Sequence, residues 1–246
     1  MSDKSTVKIF GVKFDNVTLD EANQRFITFM SSPRLKTIYT PNPEIVMIAN
    51  EDPDFKTVLN EGDMVVPDGI GIVLASKAHH LGIKSRVPGI EVMGLMLEYC
   101  NRAGKSIYLF GGKPGVAESA AEKIHTKYPN LTIAGVRDGY FDEGQELKIL
   151  DEINEKKPDI VFVALGAPKQ EKWIHRHKKT LNASVAMGVG GALDVWAGNV
   201  KRAPLIFRKL GLEWFYRLLK QPSRLGRMMI LPKFMIKAIF TKHIEG

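Results

Sequence analysis

Short runs of consecutive apolar residues alternate along the chain with longer stretches in which apolar positions recur every three or four residues. The first kind predicts strands buried on both faces, the second amphipathic helices. "VKIFGVKFDNV" predicts two short strands turning at Gly11, and Thr18 caps a helix over about 20–30. Strands are then predicted at "KTIYT", "DMVVP", "SIYLF", "LTIAGV", "DIVFVAL" and "SVAMGVG". Between them fall helices at "PEIVMIAN", 69–80, 88–103, 115–128, 143–156 and 169–179. Apolar strands separated by amphipathic helices give an α/β fold: a Rossmann-like, mostly parallel sheet with helices on both faces. No internal repeat or low-complexity linker interrupts the pattern.

The charge is unevenly placed. Residues 201 to 246 hold 11 of the 35 lysines and arginines but only Glu213 and Glu245 among the 27 acids. The preceding 200 residues are nearly neutral. The chain therefore divides into a nearly neutral body, 1–200, and a basic amphipathic helical appendage, 201–246. Such asymmetry implies an anionic surface as partner, either membrane or nucleic acid. No run approaches the ~18 apolar residues of a spanning helix. Met1 to Phe10 shows no signal-peptide core, and the single cysteine, Cys100, fits a reducing compartment and excludes a multi-cysteine metal site.

In a parallel sheet, ligands gather at the carboxyl ends of the strands. Those ends carry Thr40 and Asn42, Asp68 and Gly69, Gly111 and Gly112, Gly139 and Tyr140, Gly166 and Gln170, and Gly190, Gly191 and Asp194. Glycine-rich turns let backbone N–H groups approach a phosphate. Asp68, where "VVP" meets a helix, reads either as that helix's N-cap or as a functional carboxylate. Asn42 before Pro43 has the same two readings. "LFGGKPGVAE" is no Walker A loop, and "GVGGAL" is a poor dinucleotide fingerprint because Leu193 stands where a small residue belongs. Asp52 and Asp54 in "EDPDF" read as a helix cap rather than a metal motif, and His175 and His177, two apart, point different ways on a helix. Arg86 in "KSRVPG" is either a surface arginine or an anion clamp.

Seven segments appear in order: "TPNPEIV", "VPDGIGIV", "RVPG", "LFGGKPGVAE", "GYF", "LGAPKQEKWI" and "GVGGALDVWAGNVKRAP". Together they resemble the WecG/TagA/CpsF family of bacterial glycosyltransferases over roughly residues 8 to 245. The appendage containing "EWFYRLLKQPSR" is most similar to the wall teichoic acid branch. The resemblance implies transfer of N-acetylmannosamine from UDP-N-acetylmannosamine to N-acetylglucosaminyl-diphospho-undecaprenol, with inversion. It implies Asp68 as general base and Arg86 as partner of the diphosphate. Thr40, Asn42 and Gln170 would hold the sugar. Gly111, Gly112, Tyr140 and Asp194 would serve the nucleotide, and Arg217, Arg224 and Arg227 the acceptor's diphosphate. It implies no cofactor and no metal, no nucleic acid, and a cytoplasmic protein peripheral on the inner face of the membrane. Whether it acts as a homo-oligomer stays open, as does the donor's sugar epimer. Two other readings compete, a nucleic-acid-binding module and a nucleotide-dependent oxidoreductase. The neutral body rich in strand-end turns counts against the first, and the failed fingerprint against the second.

Overall fold

A computed structural model describes residues 5–209, 211–220, 226, 229–241 and 244. The chain opens with an antiparallel hairpin, β1 (Thr6–Ile9) and β2 (Val12–Asp15). Gly11 takes the positive φ that its turn needs. Helix α1 (Leu19–Phe29) follows, with Thr18 and Glu21 forming a reciprocal capping box.

Six parallel strands make the central sheet: β3 (Lys36–Tyr39), β4 (Met64–Val65), β5 (Ser106–Gly111), β6 (Thr132–Arg137), β7 (Ile160–Ala164) and β8 (Val185–Gly188). Their spatial order is β4-β3-β8-β7-β5-β6. The interleaved helices are α2 (Pro43–Glu51), α3 (Pro53–Asn60), α4 (Ile70–Ala78), α5 (Gly89–Ala103), α6 (Val116–Lys127), α7 (Glu146–Lys156), α8 (Lys169–Arg176) and α9 (Ala192–Trp196). The C-terminal segment adds α10 (Leu205–Lys209), α11 (Glu213–Lys220) and α12 (Ile230–Phe240).

Strand alternation splits the core in two. Tyr39, Tyr108, Phe110, Val161 and Val163 face one layer, which also holds Phe55, Trp173 and Phe234. Ile38, Leu109, Phe162 and Met187 face the other, with Phe26, Met96 and Leu97. Both faces being covered, these strands need no polar side.

The predicted strands and helices recur, with limits that shift by up to about three residues. "DMVVP" keeps only two residues of strand, and 143–156 begins as a 3-10 turn before α7. Helix α9 follows the last strand without a clear apolar period to announce it. The appendage does not stand apart from the body. Phe234 and Ala238 of α12 are fully buried, and Phe234 packs edge-on against Phe10 of the hairpin. The Phe10 amide donates to the Ile244 carbonyl at 2.7 Å. Among the described residues, no helix is long and apolar enough to cross a membrane.

Candidate active site

The sheet's strand order turns at its middle. From β3 the chain moves to the β4 edge, crosses to β5 and the β6 edge, and returns through β7 to β8, which lies beside β3. The crevice beyond the carboxyl ends of β4, β3, β8 and β7 is thus the place for a ligand. A cavity of about 340 Å³ opens there, at the small end of the range for small-molecule sites. Thr40, Asn42, Asp68, Arg86 and Gln170, five sequence-predicted residues from four separate segments, line it. Its far wall is Gly211, Glu213, Trp214, Ile230 and Leu231, from the C-terminal segment.

Asp68 is not the cap of the helix that follows it. Gly69 occupies the cap position at φ +93 and makes no side-chain cap bond. That left-handed backbone aims the Asp68 side chain elsewhere, toward the start of α5, where its Oδ2 accepts the Gly89 N–H at 3.2 Å. The contact depends on glycine at 89, since a Cβ there would lie 2.7 Å from Thr40 Oγ1. A carboxylate near a helix amino end is stabilised in its charged form.

Asn42 does cap its helix. Its Oδ1 accepts from the Ile45 N–H at 3.0 Å, with Pro43 in the first turn. That leaves its amide N–H groups as the donors it can offer the cavity.

Arg86 is only partly exposed. Its Nη1 donates to Glu213 Oε2 at 2.8 Å and its Nη2 to the Arg208 carbonyl at 3.3 Å. Both partners belong to the C-terminal segment, so the guanidinium ties that segment to the loop before α5.

Gln170 lines the cavity although it is almost fully buried. Its Oε1 accepts from the Gly190 N–H at 3.0 Å, and its Nε2 donates to Glu171 Oε1 at 2.7 Å. Glu171 is buried as well. Burial pushes its carboxyl up to about 7, against the lowering effect of the Gln170 amide.

Of the remaining predicted residues, Gly111, Gly112, Tyr140 and Asp194 do not line this cavity. Gly111 and Gly112 end β5 in positive-φ conformations. A Cβ on Gly111 would come within 2.4 Å of the Ala164 carbonyl oxygen, so close packing against β7 already requires glycine there. Tyr140, beyond β6, is 67% exposed, and Asp194 sits in the first turn of α9. Arg224, Arg227 and the side chain of Arg217 lie outside the described residues.

Asp52 is occupied as the sequence predicts for a cap. Its Oδ1 accepts from the Phe55 N–H at 2.9 Å and its Oδ2 from Lys172 Nζ at 2.6 Å. Among the described residues, no three His, Cys, Asp or Glu side chains cluster to hold a metal ion.

Sequence reasoning missed three partners: Gly89 for Asp68, Glu213 for Arg86 and Glu171 for Gln170. Only Glu171 left a local signal, because it lies three residues before Ile174 on the inward face of α8. An acid on an apolar stripe is a reason to look for its donor.

A model of the glycosyl transferase WecG/TagA/CpsF family matches residues 7–245. The chain is 41% identical over 202 residues to an N-acetylglucosaminyldiphosphoundecaprenol N-acetyl-beta-D-mannosaminyltransferase of Bacillus subtilis (strain 168), covering 82% of this chain and 78% of that one. It is 38% identical over 238 residues to the enzyme of the same name from Staphylococcus aureus (strain MW2), covering 96% and 93%.

Proposed function

The chain belongs to the glycosyl transferase WecG/TagA/CpsF family, and on that premise we propose that it transfers N-acetylmannosamine from UDP-N-acetylmannosamine to the 4-hydroxyl of N-acetylglucosaminyl-diphospho-undecaprenol. This is a step of wall teichoic acid linkage-unit synthesis. The observation that carries the reading is the convergence of Thr40, Asn42, Asp68, Arg86 and Gln170 on one cavity at the strand ends. Two relatives, matched over most of their length and named for N-acetyl-beta-D-mannosaminyl transfer with that acceptor, support it.

The chemistry follows from one carboxylate. The acceptor's 4-hydroxyl oxygen attacks the anomeric carbon as the bond to the UDP oxygen breaks. Its proton passes to Asp68, and the configuration inverts. A single displacement requires a base and no covalent nucleophile. Asp68 Oδ2 accepts the Gly89 N–H, which holds the carboxylate at the cavity. The negative charge gathering on the departing diphosphate calls for a cation or backbone donors. Arg86 on the cavity wall supplies the cation, exchanging Glu213 for the phosphate oxygens. Asn42, Thr40 and Gln170 hold sugar hydroxyls or the acetamido group, and no metal or cofactor takes part. Gly111, Gly112, Tyr140 and Asp194, all at strand ends, are assigned to the nucleotide. Arg217, Arg224 and Arg227 are assigned to the acceptor's diphosphate on the family resemblance alone.

The lipid tail of the acceptor keeps the reaction at a bilayer. The basic appendage exposes Leu205, Ile206, Phe215, Leu219, Ile236, Ile239 and Phe240. That mixture of cationic and apolar surface fits an interfacial anchor on the inner face of the membrane. A nucleic-acid partner would give no role to the cavity beneath.

The test is turnover by purified protein with UDP-N-acetylmannosamine and a lipid-linked N-acetylglucosamine acceptor, alongside thermal shift with UDP. Stabilisation by UDP and formation of a β-linked disaccharide lipid are expected. Absence of product with this donor, and product with another UDP-sugar, would move the chain to a different transferase of the same family.

A further inference from the structure

Glu171 is a carboxyl group that packing alone does not account for. It is 1% exposed, and among the described residues its Oε2 has no hydrogen-bond partner. Burying a polar atom without a partner destabilises the fold. A methionine or leucine of similar length would fill the same space on α8 at less cost.

What the carboxyl does is visible in its neighbour. The Gln170 amide is gripped at both ends, by Glu171 Oε1 on its nitrogen and by the Gly190 N–H on its oxygen. A half-turn of the amide would set its oxygen against the Glu171 oxygen and its nitrogen against the Gly190 N–H. Both contacts would then join groups of like polarity. Gly188 closes the third side. A Cβ at that position would stand 2.8 Å from Gln170 Nε2, so the amide lies directly on the strand backbone. One N–H and one oxygen lone pair remain on Gln170 for whatever occupies the cavity.

We propose that Glu171 is a positioning residue for glycosyl transfer, fixing which end of the Gln170 amide presents its donor and which its acceptor to the sugar. The proposal rests on the glycosyl-transfer reading above. Its stability cost is the counterpart of that function, as at other sites where activity and stability compete.

Two variants of the full chain test it. In Glu171→Gln the new amide oxygen still accepts from Gln170 Nε2, so most turnover is retained. In Glu171→Met that acceptor is gone and the Gln170 amide turns away from the Gly190 N–H. Turnover then falls by about 10- to 100-fold, the scale of a misplaced binding group. The melting temperature of Glu171→Met at pH 8 stays close to that of wild type, because loss of the unpartnered Oε2 offsets the Gln170 donor left without Oε1. Loss of activity without loss of stability is the signature that a packing role would not produce. Full turnover in Glu171→Met overturns the proposal, and so does a fall in turnover that tracks a fall in melting temperature. A crystal structure of Glu171→Met decides separately from the assay. If Gln170 keeps its place on Gly190, the proposal fails whatever the enzyme transfers. If the amide has turned while wild-type protein forms no product, the transfer reading fails and the positioning by Glu171 stands.

Discussion

Asp68 Oδ2 accepts the backbone N–H of Gly89 at 3.2 Å, joining the loop after β4 to the first residue of α5. The bond holds the carboxylate at the wall of the cavity. Asparagine can make the same bond through Oδ1, yet it cannot take a proton. Asp68→Asn should therefore fold normally and lower turnover by roughly 10²- to 10⁴-fold, the usual worth of a general base. Circular dichroism and melting temperature check the first half, and a disaccharide-lipid assay the second. Near-wild-type turnover would leave Asp68 as a tether between two loops.

Arg86 spends one guanidinium nitrogen on Glu213 and another on the Arg208 carbonyl. A lysine has one compact ammonium and cannot span both, nor grip a diphosphate with a fork. Arg86→Lys should impair turnover substantially, while Glu213→Gln, which leaves the fork intact, should impair it less. Comparable losses in the two variants would mean that the pair matters as a strut, not as a phosphate clamp. Chelator should have little effect, because both Asp52 oxygens are already committed to Phe55 and Lys172. Activity abolished by EDTA and restored by magnesium would overturn that expectation.

The sheet and its helices were legible because their signal is local. Apolar runs and three-to-four spacing follow from which faces are covered, and the structure covers both. The strand-end positions of Thr40, Asn42, Asp68 and Gln170 followed from the same pattern. Their partners did not. Gly89 is 21 residues from Asp68 and Glu213 is 127 from Arg86, so those contacts exist only once the loops converge. The cap reading of Asp68 failed for a related reason. Gly69 adopts a positive φ that takes the preceding side chain off its own helix, and the dipeptide alone does not announce which way that turn goes. The packing of α12 against the hairpin joins the two ends of the chain and was equally hidden.

Asp63 offers a pH test away from the site. Burial alone would raise its pKa, but Lys178, the Thr37 N–H and Lys36 outweigh that and bring it to about 2. A carboxylate whose folded pKa lies below its unfolded value stabilises the fold above the unfolded value. That stabilisation is lost as pH falls from about 4 through 2. It amounts to about 2 kcal/mol at neutral pH. Asp63→Asn should melt lower than wild type at pH 7, with the two curves converging toward pH 2. A gap that stays constant across that range would assign the loss to packing.

The last helix has two faces that make opposite demands. Phe234 and Ala238, one turn apart, are buried on the body, and Leu231 packs where a Cβ on Gly71 would meet it. Ile236, Ile239 and Phe240 emerge on the opposite side, with Phe240 81% exposed and Lys233 beside them. A monomeric surface has no reason to display that stripe, whereas a bilayer interface takes up the apolar groups and its anionic headgroups the lysine. Each Lys or Arg near such a surface contributes about 1 kcal/mol. The Ile236→Glu, Phe240→Glu double variant should keep its fold and its affinity for UDP, since neither side chain is part of the core or the cavity. It should co-sediment poorly with vesicles containing phosphatidylglycerol and lose turnover on an acceptor embedded in them. Turnover on a short-chain, water-soluble acceptor should be largely preserved. Raising salt toward 1 M should weaken vesicle binding of the wild type, because screening then shortens to about 3 Å. Vesicle binding that survives both the double variant and high salt would place the membrane contact elsewhere on the chain.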